Sequence, residues 1–148
     1  MITYHAPDRP KIFSPELWRI LGKEMARALR YRSERQVGIE WVDLKRMQQL
    51  NRQYRQKDHP TDVLSFTAET PKIDGVRYLG DLVICPAYAS NEAKRRGIPE
   101  KEEIIRLIVH GTLHLVGYHH VTLKEEAHMF AVQERCISRI LELCQPRY

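Results

Sequence analysis

A helix that is apolar on nearly every side belongs at the centre of a water-soluble fold, with other elements packed around it. Residues 99–116 (PEKEEIIRLIVHGTLHLV) form such a segment. Pro99 opens it, and Glu100, Glu102 and Glu103 suit the positive end of a helix dipole. Ile104, Ile105, Leu107, Ile108, Val109, Leu113 and Leu115 then leave almost no polar side. Gly117 follows at the point where a left-handed residue closes a helix. The remaining segments have to form a shell around this helix.

Their patterns describe that shell. The first residues read as a short strand. Ser14 caps a helix with Pro15 at its first position and Leu17, Leu21, Ala28 and Leu29 among its apolar residues. QVGIEWV (36–42) alternates as a strand does, and Asp43 caps a second helix carrying Leu44, Met47, Leu50 and Tyr54. A polar, basic loop (RQKDHPTD, 55–62) leads to the strand VLSFT, a turn region near 71–75 and the strand RYLGDLVIC. Segment 86–96 is helical and stops at Gly97; the last helix opens on Thr122 and Glu125, a capping-box spacing. Its Met129, Val132, Cys136, Ile140 and Leu143 form a core stripe. The order βαβαββααα predicts an α+β fold, a small mixed β-sheet of about four strands packed with about five helices. Residues 1–148 read as a single domain.

Composition narrows the function classes. No apolar run approaches the roughly 20 residues of a membrane helix. The opening MITYHAPDRPK lacks the charged-then-apolar pattern of a signal peptide. Cys136 and Cys144 are about 12 Å apart along one helix, too far for a disulfide. No Cys-x-x-Cys pair exists, so a cytoplasmic location with reduced cysteines is expected. The net charge of +5 is uneven: residues 1–60 hold 13 Lys and Arg against 7 Asp and Glu, and residues 61–148 hold 11 against 12. A basic half suggests a polyanionic partner, nucleic acid first.

The chemistry concentrates in HGTLHLVGYHH, residues 110–120, which holds four of the seven histidines. His110 and His114 are four apart on the buried helix and project from one face. Unpartnered, each imidazole would leave a polar nitrogen unsatisfied at about 1–3 kcal/mol. A shared metal ion removes that cost. After Gly117 the chain can turn back, bringing His120 to the same point as a third ligand; His119 is the alternative. Three neutral imidazoles with a fourth position open to water is a catalytic zinc arrangement. His128 reads as a helix-surface residue. The ligand spacing matches the zinc-protease motif H-E-x-x-H-x-x-G-x-x-H, but Gly111 stands where those enzymes carry their general base. Peptide hydrolysis is therefore disfavoured, and a less negative site suits an anionic phosphodiester.

HGTLHLVGYHH resembles the signature of the YbeY family, usually written H-G-x-L-H-L-x-G-Y-D-H. LNRQYRQKDHPTDVLSF (50–66) and YLGDLVIC (78–85) resemble the family's other characteristic stretches, in the expected order. The resemblance implies a metal-dependent, single-strand-directed endoribonuclease acting in ribosomal RNA maturation, notably at the 3′ end of the small-subunit RNA, and in ribosome quality control. It implies one zinc ion on His110, His114 and His120, a functional arginine at Arg55, and RNA, ribosomal particles or ribosomal proteins as partners, with no membrane. His119 departs from the usually acidic motif position, which leaves the general base unassigned. On this reading Arg55 donates to the scissile phosphate, and Arg52, Lys57 and His59 are nearby candidates to hold the backbone. Asp62 and Asp81 read equally as structural or chemical. Two other classes fit the same residues: a zinc hydrolase of a non-RNA substrate, and a ribosome-binding factor with a structural metal.

Overall fold

Alternation along the strands divides the interior into two unequal parts, one on each face of a mixed sheet. The computed structural model describes residues 1–7, 13–69 and 72–146. Its elements are β1 (Ile2–His5), α1 (Pro15–Ala28), β2 (Arg35–Trp41), α2 (Leu44–Arg55), β3 (Val63–Thr67), β4 (Lys72–Ile73), β5 (Val76–Ile84), α3 (Pro86–Arg96), α4 (Glu100–Leu115) and α5 (Leu123–Leu143). The sheet runs β1-β2-β5-β3, with β4 hairpinned onto β5. β1, β2 and β5 are parallel, and β3 and β4 run antiparallel to β5.

On the larger face, Ile2, Tyr4, Val37, Ile39, Leu82 and Ile84 pack with α1, α4 and α5. On the smaller, Leu64, Val83 and Cys85 meet Met47 and Leu50 of α2. Residues 82 and 84 therefore face one way and residue 83 the other, as a period of two requires. α4 is the central helix that its sequence demands, with Ile104, Ile105, Ile108, Val109 and Leu113 fully inaccessible. Burying each such side chain stabilises the fold by about 1.5–3 kcal/mol relative to exposure. The Tyr4 hydroxyl donates to Thr112 Oγ1 at 2.8 Å, and Thr112 Oγ1 donates to the Ile108 carbonyl at 2.7 Å. This buried relay ties the edge strand to α4.

The caps follow the local sequence. Ser14, Asp43 and Thr122 each accept a backbone N–H of the first turn, and Thr122 with Glu125 completes a capping box. Gly97 closes α3 in the left-handed region.

Two expectations need correction, Leu143 as part of the core stripe and residues 71–75 as a turn without a strand, and not every apolar helix residue is buried. Leu44 and Tyr54 are 38% and 54% exposed, because α2 covers only a narrow face and buries one side of a turn. Tyr54 instead lies edge-on to Phe66, with ring centroids 4.9 Å apart. Ala28 ends α1 on its exposed side, and Leu143 at the end of α5 is only half-buried. The turn region near 71–75 contains β4, reversed into β5 through Asp74 and Gly75 at φ 51° and 78°. Two consecutive positive φ values are what a tight Asp-Gly hairpin needs. Residues 70 and 71, at the start of that region, lie outside the described residues. The cysteines are free; Cys85 and Cys136 are buried, and Cys144 is partly so.

Candidate metal centre

The last two turns of α4 carry His110 and His114 on one face, with ring centroids 4.5 Å apart. The helix ends at Leu115, and the N–H groups of Gly117 and Tyr118 donate back to the carbonyls of His114 and Leu113 at 3.1 and 3.0 Å. Gly117 takes φ 97°, a conformation that a side chain resists. The chain reverses there and brings the His120 ring to 5.0 Å from His114 and 6.1 Å from His110, centroid to centroid. The Tyr118 ring stacks on His128 of α5, 16° from parallel, and so anchors the reversed segment to the next helix.

One ligating nitrogen from each of the three histidines lies within 4.8 Å of the others, so the group is placed to hold a metal ion. The hydrogen bonds decide which nitrogen points inward. His110 Nδ1 lies 2.7 Å from Gln133 Oε1, and His114 Nδ1 lies 3.0 Å from the Tyr118 carbonyl oxygen. Both partners are acceptors, so both Nδ1 atoms carry the proton and donate. The two Nε2 atoms then present lone pairs to each other at 3.0 Å. Bare lone pairs repel at that distance, and a cation between them turns repulsion into coordination. Tetrahedral ligands at 2.0–2.1 Å from zinc stand about 3.3 Å apart, close to this spacing. The donor set and its geometry fit a metal.

His114 is tuned in the same direction. Burial, then the neighbouring His110 and His120 and the charge of Arg55, push its pKa down to about 4, against the opposing pull of the Tyr118 carbonyl. Its imidazole is therefore neutral at physiological pH, the form that can bind a metal.

The expected residues separate into two groups. His110, His114 and His120 come together, and His119 does not join them. It is exposed and lines a small cavity with Tyr118, Glu125 and His128. Arg55 is the exposed last residue of α2, close enough for its charge to act on His114. Arg52 lines a different groove, with Lys45, Gln48 and Asp58. Asn51, almost fully buried, donates to the His59 carbonyl at 2.8 Å and pins the loop that follows Arg55. Asp62 accepts from the Val63 N–H at 2.7 Å, and Asp81 accepts from the Tyr78 hydroxyl; both bonds serve local structure.

Gln133 was not anticipated. It sits in the core stripe of α5, where a polar side chain among Met129, Val132, Cys136 and Ile137 is the available signal. Gly111 also receives a physical explanation. A Cβ there would lie 2.7 Å from Leu82 Cδ2 and 3.3 Å from Ser65 Oγ, and the Ser65 hydroxyl donates to the Gly111 carbonyl at 3.4 Å. α4 rests directly on β3 and β5 at this point. A glutamate at 111 would run into the sheet.

Comparison with known proteins identifies the family. The family profile described as Endoribonuclease YbeY matches residues 13–141. The chain belongs to the YbeY family. Among its relatives, the endoribonuclease YbeY of Persephonella marina is 45% identical over 107 residues, covering 71% of this chain and 70% of that one. The Sulfurihydrogenibium endoribonuclease YbeY is 40% identical over 106 residues, again 71% and 70%. The solution structure of TM1509 from Thermotoga maritima superposes with a TM-score of 0.62 at 25% identity, covering 95% of this chain and 89% of that one. The three-histidine cluster lies within the matched residues. No helix among the described residues is long and apolar enough to cross a membrane.

Proposed function

We propose that this chain, acting as a single domain over residues 1–148, is a metal-dependent, single-strand-directed endoribonuclease of the cytoplasm. Its substrate is ribosomal RNA: it matures the 3′ end of the small-subunit RNA and serves ribosome quality control, in contact with ribosomal particles. The metal is one zinc ion, with His110, His114 and His120 as ligands.

The observation that carries this reading is the approach of the two Nε2 atoms to 3.0 Å, with His120 beside them, in a chain whose family is named for RNA cleavage. A zinc ion held there supplies Lewis acidity towards a phosphoryl oxygen or a water molecule. The protein's own groups do the rest. Gln133 and the Tyr118 carbonyl orient the imidazoles. Arg55, on the rim, donates a planar pair of N–H groups to the scissile phosphate and stabilises charge developing on it. Gly111 favours this over peptide hydrolysis, since α4 has no room for a carboxylate beside His110.

The test is incubation of a single-stranded RNA bearing a small-subunit 3′ end with wild type and with His114→Ala, purified side by side. Cleavage by the wild type alone supports the reading. Equal cleavage by both removes the histidine cluster from the chemistry.

A further inference from the structure

Four arginines outside the metal centre converge on one groove. α1 and α5 pack side by side, and a cavity of about 670 Å³ between them is lined by Arg27, Arg30, Arg135 and Arg139, with Glu24 and Cys136 among its walls. Glu24 and Cys136 are buried, whereas all four arginines are exposed. The Glu24 carboxylate lies 4.0 Å from Arg27 Nη1 and 3.8 Å from Arg139 Nε. One buried carboxylate thus fixes two guanidinium groups, one on each wall. Arg139 also meets the exposed Glu142 at 3.5 Å. Arg30 and Arg135 have no carboxylate partner among the described residues. Arg30 takes φ 58°, a left-handed position at the end of α1 that glycine or asparagine would fill at lower cost.

We infer that this groove binds the sugar-phosphate backbone of the RNA outside the cleaved nucleotides. The inference rests on the reading of the chain as an RNA-cleaving enzyme. Three features favour that occupant. The groove holds four guanidinium groups against Glu24, so it attracts a polyanion. All four cations are arginine, whose planar fork matches phosphate oxygens in pairs. Among the described residues no aromatic ring lines the groove, so its contacts go to phosphates rather than to stacked bases. The groove is also tied to the metal centre through one helix: Gln133 of α5 touches His110, while Val132 and Cys136 next to it line the groove.

The experiment is fluorescence anisotropy of a labelled single-stranded RNA, long enough to extend past the metal centre. The RNA is 2′-O-methylated with phosphorothioate linkages to resist cleavage. The metal-loaded wild type, Arg27→Ala/Arg135→Ala and Arg27→Lys/Arg135→Lys are compared at several salt concentrations, with thermal melts to establish folding. Each phosphate contact to a single strand contributes about 0.7 to the slope of log K against log salt, so the alanine pair should flatten it by about 1.4. The lysine pair should recover most of that slope. An unchanged slope in a folded alanine pair overturns the inference, and points the groove towards an acidic protein surface. If that happens while the wild type still cleaves unmodified RNA, only the groove assignment fails. If the wild type neither binds nor cleaves RNA, both fail together.

Discussion

Replacing Gln133 by leucine removes the acceptor that holds His110 while keeping an apolar side chain of similar size in the α5 core. The hydrogen bond is short, 2.7 Å from Nδ1 to Oε1, and Gln133 itself is only 9% exposed. Partners of this kind are worth about 10–100-fold in metal affinity, or about 1.4–2.8 kcal/mol. His110 is only half-buried, so water can partly replace the lost acceptor, and the lower end, about tenfold, is expected. Competition against a chromophoric zinc chelator reads the change directly, and a thermal melt separates it from unfolding. Gln133→Glu keeps an acceptor in place and adds negative charge, so its affinity should equal or exceed that of the wild type. Leucine binding zinc as tightly as the wild type would refute the role given to Gln133. Equal weakening by leucine and glutamate would show that the site responds to packing rather than to the hydrogen bond.

Gly111→Ala should destabilise the protein by up to about 2 kcal/mol in chemical denaturation: overpacking of about 1–3 kcal/mol against the buried Leu82 outweighs alanine's better helix propensity of about 1 kcal/mol. A more stable variant would show that α4 does not rest on the sheet at this residue. The metal-stripped protein should lose stability as pH falls from about 6.5 towards 4. In that window the unfolded chain takes up a proton at His114 while the folded one, with its pKa pushed down to about 4, does not. His114→Gln should flatten that part of the stability-against-pH curve, and an unaltered curve would contradict the assignment. Arg55→Lys should bind zinc normally yet cleave RNA about tenfold or more slowly, because it keeps the charge and loses the fork; cleavage at the wild-type rate would exclude a paired donation.

Much of the site was legible because its determinants are local. The i, i+4 spacing of His110 and His114 and the reversal at Gly117 follow from helix geometry, and the central burial of α4 follows from its apolar circumference. Residues joined only by the fold were harder to read. Gln133 is 23 positions from His110, and its one sequence signal is polarity inside an apolar stripe. The reason for Gly111 lies in Leu82 and Ser65, which only sheet pairing brings under α4. β4 is two residues long, too short for any periodicity, although Asp74-Gly75 marks its turn. Counting charge by halves of the chain hid the arginine groove, since Arg27 and Arg30 fall in one half and Arg135 and Arg139 in the other. Leu44 and Tyr54 have helical spacing, but spacing does not say how wide a face the sheet offers.

The central claim is that the three histidines hold the one metal on which RNA cleavage depends. The most direct test adds zinc stepwise to the stripped protein while following both bound metal and cleavage of a single-stranded RNA. The account predicts that activity rises linearly, levels off at one ion per chain, and never appears in His114→Ala. Full cleavage by the stripped protein, or a zinc response that survives the loss of His114, would contradict it.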